Sequence, residues 1–373
     1  MKILMLTTNS SLMDGINRHI LTVASALNVQ DGLEVAVCTV LPKGELNIAL
    51  ENLGVRTFSL NAPNGHDWHI FSRFYKVIKA YKPNVVHNHV MAIAERLVLS
   101  SCFKKLKYVE TIHGISDKVE YLTMRMRLEK LLANLFPIKY KASCFISKGV
   151  RDALADSKKD KSIVCYNPLH FGEVPPRTYA LHEIAGVPYD TPIIGTSCRI
   201  AGVKQPERFT EVMCRVLKNL PEAHAVIMGD GEKPLIDACR KIVKQHGVGN
   251  RFHWLGYQKD APQLVRDLSC FVITSISEGM PTSILESMSL KTPFAYLEGN
   301  GGLKDIALLN QSEGPFAVQA AKDDLEGLAE GIIKLLNNNK LAQKYAERAY
   351  EAGKKHFDIQ RVVCQLTKLY KQL

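Results

Sequence analysis

The chain has 373 residues, 48 of them Lys or Arg and 37 Asp or Glu, so its formal net charge is +11. Apolar residues make up 46% of the chain and charged residues 23%, which is typical of globular proteins and excludes a disordered chain. The length suits two domains with separate cores. Nine cysteines are scattered without a Cys-x-x-Cys pair, which predicts reduced thiols and excludes a disulfide framework or a zinc site.

The sequence shows neither a secretory leader nor a membrane span. Met1 to Asn9 is too short an apolar run for a signal peptide, and no stretch approaches the roughly 20 apolar residues that cross a bilayer. We therefore expect a cytoplasmic protein. The basic excess lies mainly in residues 1–175 and is densest between residues 96 and 151. Such a zone suits a nucleic acid, an anionic membrane surface or a phosphorylated ligand, or is simply a solvated surface.

Short apolar runs alternate with helical patterns along the first half of the chain. Strands that lack inward–outward alternation and are separated by helices are typical of parallel sheets covered on both faces. The spacing of apolar residues from Ile16 to Leu27 predicts a helix. Seven runs predict strands: 2–8, 34–40, 55–60, 85–87, 108–112, 144–146 and 163–166.

A second series of the same kind follows residues 171–192, whose glycines and prolines predict a linker between domains. The predicted strands are 193–198, 223–228, 252–255, 270–274 and 294–297, and the predicted helices are 206–219, 233–246, 261–268 and 283–290. We expect an α/β protein with Rossmann-like domains at 1–170 and 193–356, and a C-terminal helix at about 357–373 that packs on the first. The carboxyl ends of their parallel strands should face a central cleft, where such sheets bind ligands.

Polar residues at predicted strand ends are the candidates for function in the first domain. Gly15 opens a helix, whose N–H groups can hold an anion, or it is a plain turn glycine. His87, His89 and His113 close two strands, where an imidazole can donate a hydrogen bond or transfer a proton. Each histidine could equally be a satisfied polar group. Because Gly114 follows His113, that histidine is the favoured candidate.

The second domain offers two cations and two carboxylates. Arg199 ends a strand and Lys204 lies five residues later, a pair that suits a diphosphate. Glu278 lies in a loop, and Glu286 lies in the helix that follows it. In one alternative Glu286 completes a capping box with Ser283. On one helix the two carboxylates would lie about 12 Å apart, too far for a retaining glycosidase pair, so we expect two separate ligand contacts.

Several motifs are absent from the sequence. The first strand is not followed by G-x-G-x-x-G, which argues against ordinary dinucleotide binding. Asp-x-Asp, the P-loop, the G-x-S-x-G elbow and the kinase signatures are missing as well.

The ordered set of motifs resembles the retaining glycosyltransferases of family 4, which have the GT-B fold of two Rossmann-like domains. The resemblance covers nearly the whole chain. Its motifs are Gly15 with His19, Val86-His-Asn-His89, Thr111-x-His113-Gly114, Phe145-Ile-Ser147, Tyr166-Asn-Pro168, Arg199 with Lys204, Met228-Gly-Asp-Gly231 and Glu278-x7-Glu286.

The resemblance implies a role for each matching position. Arg199 and Lys204 would bind the donor pyrophosphate, Glu286 the ribose and Glu278 the donor sugar. His113 would lie beside the sugar and the β-phosphate, which makes His113, Glu278, Arg199 and Lys204 the catalytic set. The remaining positions are assigned as follows: Gly15, Gly279, Met280, Thr282 and Ser283 to the donor, and His19, His87 and His89 to the acceptor. Such enzymes use neither metal nor cofactor.

The sequence departs from the family pattern at several positions. Asp14 and Gln205 each stand where glycine is usual, Pro168 replaces a glycine, and Lys291-Thr-Pro293 replaces Gly-x-Pro. Ser287-Met-Ser289 replaces Ala-Met-Ala, and the later Gly-Gly…Glu loop is Gly301-Gly-Leu-Lys-Asp305. An anion at Asp14 would repel a phosphate unless it is turned toward the acceptor.

The predicted function is therefore transfer of a sugar from a nucleoside diphosphate donor, most simply a UDP-sugar, to a hydroxyl of a lipid-linked saccharide. A basic amphipathic helix at 119–136 could attach the chain to an anionic membrane surface; a core helix with solvated charges would show the same pattern. Two other functions stay open: a hydrolysing nucleotide-sugar epimerase on the same scaffold, and a basic nucleic-acid-binding protein. No helix-turn-helix, zinc-finger or RNP-type pattern supports the last.

Overall fold

The chain folds into two units, each built around its own parallel sheet. The computed structural model describes residues 1–64, 67–114, 131, 134–154 and 162–373. Unit 1 comprises Met1–Pro168 and Ile359–Leu373, and unit 2 comprises Leu169–Asp358. Most of the helix predicted at 119–136, and with it part of the basic zone, lies outside the described residues.

Unit 1 is a parallel sheet covered by helices. Its strands are β1 (Lys2–Thr7), β2 (Glu34–Thr39), β3 (Arg56–Ser59), β4 (Val85–Asn88), β5 (Lys107–Ile112), β6 (Tyr140–Phe145) and β7 (Ser162–Val164). They pair in the order β3-β2-β1-β4-β5-β6-β7. The described helices are α1 (Gly15–Asn28), α2 (Glu45–Asn52), α3 (His69–Tyr81), α4 (Ile93–Cys102), α5 (Lys148–Asp152) and the C-terminal α14 (Ile359–Gln372).

The two faces of this sheet explain why its strands are continuously apolar. Along β1, Ile3 and Met5 belong to one buried cluster, whereas Leu4 and Leu6 belong to the cluster on the other face. Successive side chains of a strand point to opposite faces of the sheet. Because both faces are covered, no position of the strand is exposed, and polar residues do not alternate with apolar ones. The first cluster includes Val362 and Leu366 of α14. The C-terminal helix is therefore part of the core of unit 1.

Unit 2 repeats this design. Its strands are β8 (Ile193–Ser197), β9 (His224–Met228), β10 (Phe252–Gly256), β11 (Cys270–Ile273), β13 (Phe294–Leu297) and β15 (Val318–Ala320), with β12 (Ser277–Glu278) and β14 (Asn300–Gly301) as a separate pair. The main sheet has the order β10-β9-β8-β11-β13-β15, and its pairings are parallel. Its helices are α6 (Ala180–Ala185), α7 (Pro206–Asn219), α8 (Lys233–His246), α9 (Ala261–Leu264), α10 (Thr282–Ser289), α11 (Gly302–Ser312), α12 (Leu325–Leu336) and α13 (Asn339–Phe357).

The segment predicted to be a linker, residues 171–192, lies within unit 2. It forms α6, and Leu181 and His182 of that helix are buried. The carboxylate of Asp267, itself fully buried, accepts hydrogen bonds from the backbone N–H groups of Thr178, Tyr179 and Leu181. The prolines and glycines of the segment prevent long helices, but Asp267 holds the backbone of the segment against unit 2. The prediction of a linker between domains, which relied on composition alone, is therefore wrong.

Strand order positions the sites in both units. The first strand of each unit lies between the second and the fourth strand of the same unit: β1 between β2 and β4, and β8 between β9 and β11. At this point the chain stops adding strands on one side of the first strand and begins to add them on the other side. The loops that follow the two central strands therefore run to opposite faces of the sheet and leave a crevice beyond the carboxyl ends of the strands. No helix among the described residues is long and apolar enough to cross a bilayer.

Candidate functional site

The crevice of unit 2 brings together two side chains that the sequence predicted. Lys204 lies in the loop after β8, and Glu278 lies beyond β11. The Lys204 Nζ atom donates a hydrogen bond of 2.6 Å to Oε1 of Glu278. The pair therefore joins the loops that follow the two central strands, where ligands bind in sheets of this kind.

The Met228-Gly-Asp-Gly231 motif holds the loop that carries Arg199. The N–H groups of Cys198 and Ile200 donate to the carbonyls of Met228 and Asp230, at 3.1 and 2.9 Å. A Cβ atom on Gly229 would overlap the carbonyl of Cys198, and one on Gly231 would overlap that of Ile200. Both glycines are therefore needed for this close backbone approach. Arg199, between the two bonded residues, is exposed.

The end of the same loop has a strained backbone. Gln205 has φ 52° and ψ 56°, the left-handed region, which costs a residue with a side chain about 1–2 kcal/mol. This conformation explains why glycine is usual here in the family that the sequence resembles. The hydroxyl of Thr274 donates to the carbonyls of Lys204 and Gln205 at 3.3 and 3.1 Å, and these contacts hold the strained loop against the end of β11.

The loop containing Glu278 is held by the glycines of the second strand pair. Glu278 in β12 pairs with Gly301 in β14. A Cβ atom on Gly302 would lie 2.8 Å from both the carbonyl oxygen of Gly279 and the Cα of Met280. Met280 itself is 4% exposed, so its side chain belongs to the core and only its backbone is available to a ligand.

The helix that follows begins two residues before the start that a capping box of Ser283 and Glu286 requires. Helix α10 starts at Thr282 with Pro281 at the N-cap, and Ser283 lies inside its first turn. Ser283 is therefore the second helical residue and not the N-cap, so the predicted capping box of Ser283 and Glu286 is wrong. The first N–H groups of the helix, which include those of Thr282 and Ser283, have no acceptor within the helix and can bind an anion. Glu286 lies one turn further along α10.

A small pocket at the carboxyl edge of the sheet contains the ion pair. Lys204, Glu278 and Ser283 line it, and Arg199 and Glu286 do not. The other lining residues are Thr196, Cys198, Ile200, Pro206, Phe209, Ile227, Ile273, Thr274 and Ser275. Sequence reasoning missed Thr196, Cys198, Thr274 and Ser275 as site residues. Only their position in the sequence could have indicated these four residues, because they lie at or just beyond the carboxyl ends of β8 and β11.

In unit 1 the loop after β1 ends at a capped helix. Asp14 is the N-cap of α1, and its carboxylate accepts hydrogen bonds from the N–H of Ile16 at 2.9 Å and from the amide of Asn9 at 3.1 Å. Asp14 therefore has a local structural role that a glycine would not fill, although its charge stays at this helix end. Gly15 is the first residue of α1, and a Cβ atom there would have no described atom within 4 Å.

Three of the predicted histidines form a cluster beyond β4 and β5. His89 Nδ1 lies 2.9 Å from His113 Nε2, and the His19 ring centroid lies 5.4 Å from that of His89 and 4.9 Å from that of His113. Burial lowers the pKa of His19 to about 4, and the smaller effect of Asn167 opposes this shift. Burial and the neighbouring histidines hold the pKa values of His89 and His113 well below the usual 6.5. The cluster is therefore neutral near pH 7.

Neutral imidazoles are also the form that binds metal ions. One ligand atom from each of His19, His89 and His113 lies within 4.8 Å of the other two, so these residues could hold an ion. The metal-free reaction implied by the sequence resemblance remains a prediction.

His87 was expected to contact the acceptor, and its position contradicts this. The side chain is fully buried. Its Nδ1 lies 2.5 Å from the hydroxyl of Tyr370, and its Nε2 lies 2.7 Å from that of Thr111. Both ring nitrogens are thus engaged, and His87 connects β4 to β5 and to the C-terminal helix α14. It is a structural residue, and its neighbour His89 is the one that reaches the cluster.

Comparison with known proteins agrees with this arrangement. Residues 13–170 match the family described as Glycosyltransferase Family 4, and residues 180–352 match Glycosyl transferases group 1. Over 291 residues the chain is 23% identical to UDP-Gal:alpha-D-GlcNAc-diphosphoundecaprenol alpha-1,3-galactosyltransferase of Escherichia coli, which covers 72% of this chain and 70% of the relative. Over 164 residues it is 27% identical to the lipopolysaccharide core biosynthesis glycosyltransferase LpsE of Rhizobium meliloti, covering 44% and 45%.

The fold has close counterparts among solved structures. The crystal structure of Anabaena HepE in complex with UDP and glucose superposes with a TM-score of 0.80 at 18% identity, over 100% of both chains. Two matched families that together span both units, and this fold, define the class: the chain belongs to the group 1 glycosyltransferases of family 4, with two Rossmann-like domains. It spans less than half the length of two of its curated relatives, 42% and 45%.

Proposed function

We propose that the protein transfers a sugar from a nucleoside diphosphate donor to a hydroxyl of a saccharide and retains the anomeric configuration. The observation that carries this proposal is the ion pair of Lys204 and Glu278 at the topological switch point of unit 2. A cation, a carboxylate and the N-terminus of α10 meet there, which are the groups needed for a phosphate and for sugar hydroxyls.

Lys204 and Arg199 are proposed to bind the pyrophosphate. Arginine offers a planar fork of donors to phosphate oxygens, and lysine offers a compact charge. The first N–H groups of α10, at Thr282 and Ser283, would add neutral donors. As the bond from the sugar to phosphate breaks, negative charge grows on the leaving diphosphate, and fixed positive groups stabilise that charge. Because side chains supply the charge, we propose a reaction without metal or cofactor.

Glu278 is proposed to contact the donor sugar. Before the donor arrives its carboxylate is the partner of Lys204. An arriving phosphate would compete for that lysine and leave Glu278 to accept hydrogen bonds from sugar hydroxyls. Glu286, one turn into α10, is proposed to accept from the ribose. In unit 1, Gly15 and His113 stay predicted donor contacts, and His19 and His89 stay predicted acceptor contacts. Because the cluster is neutral, each imidazole can act as donor or acceptor of a hydrogen bond.

Uridine diphosphate is the nucleotide we propose, and a lipid-linked saccharide is the proposed acceptor. HepE was crystallised with UDP and glucose, and the name of the E. coli relative gives a UDP-galactose donor and a diphosphoundecaprenol-linked acceptor. LpsE is named for lipopolysaccharide core biosynthesis. These names support a role in the synthesis of surface polysaccharide.

An acceptor of this kind would place the enzyme on the inner face of a cytoplasmic membrane. The exposed Lys104, Lys105 and Lys107 follow α4 and belong to the basic zone. Cations near an anionic bilayer contribute about 1 kcal/mol each. Co-sedimentation with vesicles of anionic lipid tests this, using Lys104→Glu/Lys105→Glu against the matched change Lys340→Glu/Lys344→Glu in unit 2. Equal sedimentation of both variants would contradict binding through this zone.

The donor is tested by thermal unfolding with UDP, GDP, ADP and TDP. A nucleotide at 100 times its dissociation constant adds about 2.7 kcal/mol to the free energy of unfolding, and we expect UDP to raise Tm most.

Glu286→Ala should reduce the rise in Tm with UDP and lower the rate of transfer at least tenfold, because the ribose contact is worth about 1.5–3 kcal/mol. Glu330→Ala removes an exposed carboxylate of α12 and is the control. If no nucleotide raises Tm, the proposal is rejected.

A further inference from the structure

Unit 2 has a second and larger recess at the opposite edge of its sheet. Pro192, Ser269 and Pro293 line it, and each directly precedes a strand: β8, β11 and β13. The pocket of Lys204 and Glu278 is lined by residues at the carboxyl ends of the same sheet. Strands of four or five residues separate the two edges by about 15 Å. The groove is therefore distinct from the proposed donor site, and its volume of about 730 Å³ is in the range of ligand sites.

Two guanidinium groups supply positive charge to this groove. Arg177 donates to the carbonyl of Leu268 at 3.4 Å, and Arg266 donates to that of Pro175 at 3.1 Å. Neither forms an ion pair with a carboxylate of the residues that the structure describes. Burial and the charge of Arg177 lower the pKa of Arg266, and Asp267 opposes that effect. Each guanidinium keeps donors that its backbone contact does not use.

The carboxylates near the pair leave room for an anion. The buried Asp267 accepts four hydrogen bonds from its own surroundings, from the N–H groups of Thr178, Tyr179 and Leu181 and from the Thr178 hydroxyl. Lys291 and Glu347, which also line the groove, pair with each other at 2.7 Å. Asp190 is a further acidic residue of the lining. The lining itself therefore carries three cations, Arg177, Arg266 and Lys291, against the two carboxylates of Asp190 and Glu347.

Two tyrosines form an exposed aromatic surface in the groove. The ring centroids of Tyr179 and Tyr189 lie 5.2 Å apart, and their side chains are 37% and 58% exposed. Tyr179 has φ 60°, a left-handed conformation that its N–H bond to Asp267 maintains. Strain of this kind is found preferentially at ligand sites. Exposed aromatic faces bind the apolar C–H faces of sugar rings, and guanidinium groups bind carboxylates.

We propose that this groove binds an acidic saccharide, with its rings against Tyr179 and Tyr189 and its carboxylate on Arg177 and Arg266. The site would hold a charged glycan away from the proposed donor pocket. The inference rests on the groove itself and does not require the proposed function.

Calorimetric titration of the full chain with trigalacturonic acid tests the proposal, with maltotriose as the uncharged analogue. We expect trigalacturonic acid to bind at low ionic strength and maltotriose to bind at least tenfold more weakly. Arg177→Gln should weaken binding at least tenfold, because the carboxylate would lose a charge-assisted hydrogen bond. Tyr189→Ala should also weaken it. Arg361→Gln removes an exposed guanidinium of unit 1 and should leave binding unchanged.

The rise in Tm that UDP causes should be the same in Arg177→Gln and Tyr189→Ala as in the wild type. This measurement checks that the variants are folded, and it tests the proposed function separately from the groove. The proposal is overturned if trigalacturonic acid does not bind, if maltotriose binds equally well, or if Arg177→Gln and Tyr189→Ala both bind normally. The proposal is also overturned if a single-stranded oligonucleotide binds more tightly than trigalacturonic acid and if Arg177→Gln and Tyr189→Ala abolish that binding. The groove would then be a nucleic-acid site.

Discussion

Lys204 and Glu278 are 74 residues apart in the chain and meet at 2.6 Å in the crevice of unit 2. The pair exists because β8 and β11, which precede its two loops, are neighbours in the sheet. A cation held by a carboxylate in this position can exchange that partner for a phosphate.

Lys204→Ala should lower the rate of sugar transfer at least tenfold and weaken UDP binding. The variant removes a charge from the proposed pyrophosphate site and leaves Glu278 as an unpaired anion that repels phosphate. Initial rates and calorimetric UDP affinity are the measurements. Lys218→Ala, at an exposed lysine of α7, is the control. Wild-type transfer and affinity in Lys204→Ala would exclude the lysine from the site.

Replacing Gln205 with glycine should give a more stable unit 2 than replacing it with alanine. Glycine adopts the left-handed backbone of this position without strain, so the free energy of unfolding of Gln205→Gly should exceed that of Gln205→Ala by about 1 kcal/mol, or about 2–4 °C in Tm for a unit of this size. Gln205→Ala is the matched variant, because it also loses the side-chain bond to the carbonyl of Gly202 but keeps the strain. The two variants should differ in calorimetry, and equal Tm values would contradict the strain.

Acidification should destabilise unit 1 between pH 6.5 and pH 4. The pKa of His19 is lowered to about 4 in the folded chain, so between these pH values the unfolded chain binds more protons, and stability falls as pH falls. His19 alone contributes on the order of 3 kcal/mol over this range. Urea unfolding at several pH values measures the effect, and His19→Gln should flatten the profile. An unchanged slope in that variant would mean that other groups cause it.

Glu95 predicts the opposite dependence at higher pH. It is buried in unit 1, and desolvation raises its pKa to about 8. The folded chain then binds more protons than the unfolded chain from about pH 4.5 to pH 8, so stability falls as pH rises through this window.

Glu95→Gln removes the titrating proton and retains an oxygen that can accept from the N–H of Ala92, as Glu95 does at 2.9 Å. The variant should be more stable than the wild type at pH 8.5, by on the order of 5 kcal/mol, and similar to it at pH 5. Urea midpoints at the two pH values are the measurement. A constant difference at both would show that the carboxyl does not titrate there.

Much of the fold could be predicted because parallel strands buried on both faces are continuous apolar runs. β1, β8 and β11 were predicted within one residue of their observed ends. Strands β12 and β14, of two residues each, carry no periodicity, and they exist because Gly301 and Gly302 let the chain pass close to Glu278 and Met280. The prediction of a linker at 171–192 was wrong for a similar reason. Asp267, which holds that segment, lies about 90 residues away in the chain, so local composition does not indicate the contact.

The amino-acid sequence by itself determined the succession of strands and helices and placed polar residues where strands end, since local spacing of apolar side chains decides both. Only the tertiary structure distinguished His87 from His89. The two are separated by one residue in the chain, yet Tyr370 of the distant helix α14 contacts the first, whereas the second turns to His113. A side chain's role depends on which groups surround it, and those groups arrive from parts of the chain that local sequence does not specify.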